Sequence, residues 1–161
     1  MIVIGRNNKK VIYTKLISNF KYKILKEFDE MIRCVRLWTG EDGNSLFEEG
    51  IIEFKDSSRG DSESLPIAVS ELSFRETTSG GSYDWHQDPV PRYVITLSGT
   101  LEFETKDGST FIIKPGDVLL AQDNSGTGHK WRLMDDEPWR RAYVVYKEDA
   151  GLCFKPTKTT K

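Results

Sequence analysis

The sequence predicts an all-β chain: a barrel of paired antiparallel strands behind a short N-terminal extension. Three observations carry this. After Arg33, short apolar runs are separated by turn residues, the signature of a sandwich or barrel. From Arg92 onward, apolar and polar residues alternate with the period of a half-buried strand. At 161 residues, with 37% hydrophobic and 30% charged, the chain suits one soluble domain around one core.

The expected organisation is an extension over 1–31, a barrel over 32–150 and a tail over 151–161. Within the extension, Val11 to Leu16 reads as a strand. Tyr22 to Met31 reads as a short helix, since Ile24, Leu25, Phe28, Met31 and Ile32 approximate one helical face. Cys34 to Trp38 is the first strand of the barrel and stops at Thr39-Gly-Glu-Asp-Gly43. The polar tract Asp56 to Ser64 lacks periodicity and is expected to be a mobile loop. Pro66 to Phe74 resumes as a strand.

Tyr93, Ile95 and Leu97 then share one strand face, and a turn at Ser98-Gly-Thr100 leads to Leu101, Phe103 and Thr105 alternating with Glu102 and Glu104. Lys106-Asp-Gly108 closes a further hairpin, and Pro115-Gly-Asp117 stops the strand Phe111 to Ile113. Val118 to Ala121, His129 to Met134 and Arg141 to Tyr146 complete the set. Closing such strands into a barrel leaves no free edge.

Composition excludes several classes of function. The formal net charge is −2, from 23 Lys and Arg against 25 Asp and Glu, so no overall field favours nucleic acid or an anionic membrane. The lysines before residue 27 and the acidic residues between Glu41 and Glu63 read as solvated surface. Cys34 and Cys153 form neither a CxxC pair nor a disulfide framework and are expected to be reduced thiols. The apolar run at Met1 to Ile4 is too short for a signal-peptide core, and no window approaches a membrane span. A cytoplasmic location is the default expectation.

The tract Gly80-Gly-Ser-Tyr-Asp-Trp-His-Gln-Asp-Pro89 is the first that suggests chemistry. If it is extended, Asp84, His86 and Asp88 face one side, and His86 and Asp88 are placed to grip one ion. In the second tract, Gly126-Thr-Gly-His129, the chain enters a strand on which His129, Trp131 and Leu133 alternate with Lys130 and Arg132. His129 is therefore expected to point into the barrel. His86 and His129 are the only two histidines of the chain.

With these residues in place, the chain resembles the cupin superfamily, and in particular small single-domain cupins. Gly80, His86, Asp88, Arg92 and Gly99 fall at the spacing of the family's first motif. Gly116, Gly126 and His129 match glycine and histidine positions of its second, after a slightly longer loop. The resemblance covers about Leu65 to Tyr146. It implies a double-stranded β-helix, or jelly roll, and a homodimer. It also implies a pocket that takes a small molecule, in some members with a divalent Fe, Mn, Ni or Zn ion.

Two departures bear on function, because the second histidine of the first motif is Asp88 here and its glutamate is Arg92. A guanidinium stays protonated and cannot ligate a metal. The candidate metal ligands are then His86, Asp88 and His129, two histidines and one carboxylate, a set that suits a divalent ion with open positions. Asp123 is a lesser candidate. Equally, the histidines are neutral pocket residues hydrogen-bonded to their neighbours.

Arg92, Tyr93, Trp131 and Tyr143 are the candidate pocket residues. Arg92 either meets a substrate carboxylate or forms an ion pair with Asp88 or Asp84, and Arg140 and Arg141 stand near where related barrels keep an arginine for a cosubstrate. Besides a barrel that serves chiefly as a dimerisation or scaffold element, two functions follow from the resemblance. One is a metal-dependent enzyme of dioxygenase, isomerase or lyase type acting on a small polar molecule; the other is a non-catalytic small-ligand sensor or carrier with an incomplete metal site.

Overall fold

Alternation of β-branched, leucine and aromatic residues with polar ones selects extended backbone, and positive-φ glycines break the extended runs at Gly43, Gly99, Gly108 and Gly116. A computed structural model describes residues 31–56 and 60–157. The strand expected at Val11 to Leu16 lies outside these residues, as does the helix expected from Tyr22 up to its last residue. Among the described residues there is no helix, and none is therefore long and apolar enough to cross a membrane.

Among the described residues thirteen strands follow one another: β1 (Arg33–Thr39), β2 (Ser45–Ile52), β3 (Lys55–Asp56), β4 (Ser62–Glu63), β5 (Val69–Thr77), β6 (Ser82–His86), β7 (Arg92–Ser98), β8 (Leu101–Thr105), β9 (Thr110–Ile113), β10 (Val118–Gln122), β11 (His129–Leu133), β12 (Trp139–Tyr146) and β13 (Phe154–Pro156). Strands β5 to β12 form one long hairpin wound over itself. Its tip is β8·β9, followed outward by β7·β10, β6·β11 and β5·β12, all antiparallel. Successive pairs alternate between two sheets, one ordered β13-β2-β1-β10-β7-β12-β5 and the other β6-β11-β8-β9. This nesting is the double-stranded β-helix, with β1 added parallel to β10.

Three stretches depart from expectation. Ser45–Ile52 forms β2, antiparallel to β1; its consecutive Glu48, Glu49 and Gly50 hide the alternation. The tract expected to be a loop pairs at its ends, Lys55 with Glu63 and Asp56 with Ser62. The segment read as a tail carries β13, which pairs with β2.

The core lies between the sheets. Leu37, Val94, Leu101, Phe103, Phe111, Ile113, Leu119 and Trp139 are buried in one cluster, and each such side chain contributes about 1.5–3 kcal/mol through burial. Phe103 stacks on Phe111 at 5.0 Å between centroids, and Trp139 meets Trp131 edge-on at 4.8 Å. A second cluster, on the other face of the larger sheet, gathers Cys34, Tyr93, Val118 and Leu120. Both cysteines are free and buried, and burial pushes the Cys34 thiol up to about 12. These packed layers hold the ends of β6 and β11 against the inner faces of β5, β7 and β12, where the chemically distinctive residues meet.

Candidate small-molecule site

His86 ends β6 and His129 opens β11, and the two are directly paired across the antiparallel ladder. Paired positions project to the same face, so the rings meet with centroids 4.4 Å apart. Close backbone approach makes this possible. Gly128, at φ +68°, lies against the carbonyl of His86, where a side chain would have no room.

His129 is buried, and its Nδ1–H donates to Asp123 Oδ2 at 2.7 Å. Ser45 Oγ donates to the same oxygen at 2.9 Å. The other carboxylate oxygen, Oδ1, is buried with no partner among the described residues. His86 Nδ1 donates to the carbonyl of Asp84 at 2.8 Å; a carbonyl only accepts, so the proton sits on Nδ1. In each ring Nδ1 is thereby engaged, and a neutral ring of that tautomer carries its lone pair on Nε2. Burial holds His86 below the ordinary histidine range, and the nearness of His129 adds to this.

A cavity of about 430 Å³ opens beside His86, walled by β5, β6, β7, β11, β12 and the turn after β6. Arg75, Arg92 and Arg141 line it, and the Tyr143 ring stands among them. The three guanidinium carbons lie 5.0, 4.8 and 5.3 Å from the centre of that ring, within the range of cation–π attraction. Arg141 is further fixed by its donations to the Tyr143 hydroxyl (3.1 Å), Thr77 Oγ1 (2.8 Å) and the Trp139 carbonyl (3.2 Å). Trp131, Tyr83, Ser82 and Gln87 complete much of the remaining wall.

Asp88 supplies the cavity's one carboxylate among the described residues. It lies beyond the end of β6, with Oδ1 3.6 Å from Arg92 Nε, so of the two roles weighed for Arg92 an ion pair with Asp88 is present. Burial raises Asp88 above the ordinary carboxylate range, although His129 and then Arg92 pull the other way. Asp84 makes no such ion pair among the described residues; its side chain accepts from the Trp85 amide.

The chemistry of the donor set decides how well a divalent ion fits. Each imidazole has Nδ1 tied to an oxygen, as metal-ligating histidines commonly do. A third donor is lacking: among the described residues, no group of three or more His, Cys, Asp and Glu side chains is arranged to hold an ion. The set His86, Asp88 and His129 is therefore not assembled as one three-ligand centre. Strand β6 stops at His86, and Asp88 lies in the following turn beside Arg92 rather than continuing the alternation.

Of the other residues singled out above, Trp131 and Tyr143 line the cavity, while Tyr93 does not. On β7 it alternates with Arg92 and Val94 and faces the second cluster, where burial raises its hydroxyl to about 12 and the Cys153 amide donates to it. Asp123 orients His129 from behind. Arg140 turns outward to Glu76 at 2.6 Å, whereas Arg141 turns inward. The sequence reading missed Arg75 and Thr77 because it ended their strand at Phe74; continuing the alternation from Ser73 would have placed both on one face.

No protein-family model matches the chain, and no curated protein matches it. Solved structures do. A DUF861 family protein from Thermotoga maritima is 24% identical, with 47% of this chain and 78% of that one covered, at a TM-score of 0.39. An uncharacterised conserved protein with a double-stranded β-helix domain, from Klebsiella pneumoniae, is 20% identical, with 64% and 90% covered, at a TM-score of 0.40. Likenesses of this size carry no argument about activity, and the fold stands on the nested strand pairing of the chain itself: a cupin-like double-stranded β-helix.

Proposed function

We propose that this chain is a small-ligand-binding protein of cupin-like fold, its ligand seated in the cavity beside His86. The observation that carries this reading is the cavity itself: about 430 Å³, within the range of small-molecule sites, with aromatic walls and a few convergent polar groups on rigid strands. Aromatic faces from Trp131, Tyr83 and Tyr143 would cover the ligand, and His86 Nε2 would accept a hydrogen bond from it. Sensor or carrier is the role that an incomplete metal centre favours.

The test is thermal unfolding with a panel of small carboxylic acids, amides, sugars and amines, run in chelator. A ligand at ~100 times its Kd stabilises by about 2.7 kcal/mol, and Thr77→Trp, which fills the cavity, should abolish the effect. Absence of any saturable stabilisation would remove the reading.

A second reading is favoured by one observation, the two imidazoles of His86 and His129 paired on adjacent strands, each with Nδ1 tied to an oxygen. These residues would hold a divalent ion of the Fe, Mn, Ni or Zn type, which supplies Lewis-acid or redox chemistry when bound. Metal analysis of purified protein and of the His86→Ala, His129→Ala double variant separates the two readings. Wild type that is metal-free and cannot be loaded excludes the second.

A further inference from the structure

We infer that the ligand of this cavity is a small organic anion, its carboxylate or phosphate oxygens received by Arg75, Arg92 and Arg141. This rests on the cavity being the ligand site and adds the chemical class of the ligand. Three guanidinium groups and, among the described residues, one carboxylate line the cavity, so its wall is positive in a chain whose formal charge is −2. A local excess opposite in sign to the whole chain is not a by-product of composition.

Charge pairing sharpens the point. Arg92 and Arg141 are each 6% exposed, and buried arginines are ordinarily paired with carboxylates. Yet among the described residues neither Arg75 nor Arg141 has a carboxylate within 4.0 Å. Arg92 has only the long 3.6 Å approach of Asp88 to Nε, and its one hydrogen bond, to the Val90 carbonyl at 3.2 Å, also uses Nε. The Nη atoms of Arg92 and Nη2 of Arg141 are left without a protein acceptor among the described residues. These are the atoms that present the planar fork matching a carboxylate or phosphate edge.

Tyr143 makes the arrangement a built one. All three guanidiniums gather on its ring and Arg141 Nε also donates to its hydroxyl, so the donors are held in place before any ligand arrives and less entropy is lost on binding.

The experiment is calorimetric titration of the full chain, in chelator, with three pairs of probes: malonate against malonamide, succinate against succinamide, and glycerol 2-phosphate against glycerol. Binding of the anions with none of their neutral counterparts is expected, and the preferred pair distinguishes carboxylate from phosphate. Arg75→Gln, at the exposed rim where folding is little affected, should weaken the best anion roughly tenfold, and Arg141→Met roughly 10- to 100-fold. Circular dichroism checks that both variants are folded.

Neutral probes binding as well as the anions would overturn the inference and leave the cavity's role standing. No binding by either kind would overturn the inference, and the cavity's role as well if the thermal panel of sugars and amines also gives no stabilisation. Anion binding unchanged in Arg75→Gln and in folded Arg141→Met would place the anion elsewhere and overturn the inference as well.

Discussion

Replacing Gly128 with alanine should separate the two histidine strands at their closest point. Two costs add. At φ +68°, a residue with a side chain loses about 1–2 kcal/mol relative to glycine. In addition, a Cβ at this position would fall on the carbonyl oxygen of His86 and 2.5 Å from its carbonyl carbon. Both are backbone atoms of the paired strand and cannot swing aside, so β6 must move away from β11 at a cost of the order of 1–3 kcal/mol. The expected loss is about 2–5 kcal/mol in urea unfolding. Gly116→Ala provides the control, because Gly116 has φ +93° and open space where its Cβ would stand; only the conformational cost of about 1–2 kcal/mol applies. If the two variants lose the same stability, the close approach of Gly128 to His86 does not hold the site together, and the account of how the histidines are brought into contact fails.

Further expectations concern the titrating groups. His86 and His129 are the only imidazoles, so a long-range 1H–15N spectrum compared with that of His86→Gln assigns both. The His86 ring should titrate below the ordinary 6.5, since burial lowers it. A lowered folded-state value means that its contribution to stability is present above pH 6.5 and is lost as pH falls through the folded value; His86→Gln should therefore flatten the acid side of the stability profile, and an unchanged profile would contradict the burial argument. Asp88 has the opposite sign. Its raised value makes ionisation unfavourable in the fold, with the favourable contribution present at pH 3 and lost as pH rises. Asp88→Asn should gain stability at pH 7 relative to wild type and none at pH 3, as read from urea midpoints. Asp123→Ala should cost about 2–4 kcal/mol, because it strands the buried His129 Nδ1–H and the Ser45 hydroxyl; chemical unfolding within 1 kcal/mol of wild type would show that this pairing is not needed.

Much of the barrel was legible because alternation is a local property. Arg92–Ser98, Leu101–Thr105 and Val118–Gln122 carry their inward and outward faces in the order of their residues, and the turns at Gly99, Gly108 and Gly116 carry positive φ. Strand β2 was hidden because its consecutive Glu48, Glu49 and Gly50 blur the period. Its existence depends on β1 and β13 beside it, which no local pattern announces.

The candidate site divides along the same line. That His86 and His129 are the chain's two histidines and stand on strands was readable from composition and spacing. That Asp88 pairs with Arg92 instead of joining them, that Asp123 holds His129 from behind, and that Arg75, Arg92 and Arg141 converge on Tyr143 was decided by folding alone. The physical reason is range: side-chain direction along a strand is set by its neighbours in sequence, whereas a pocket is made by residues far apart in sequence, brought together only when the long hairpin winds over itself and its sheets pack.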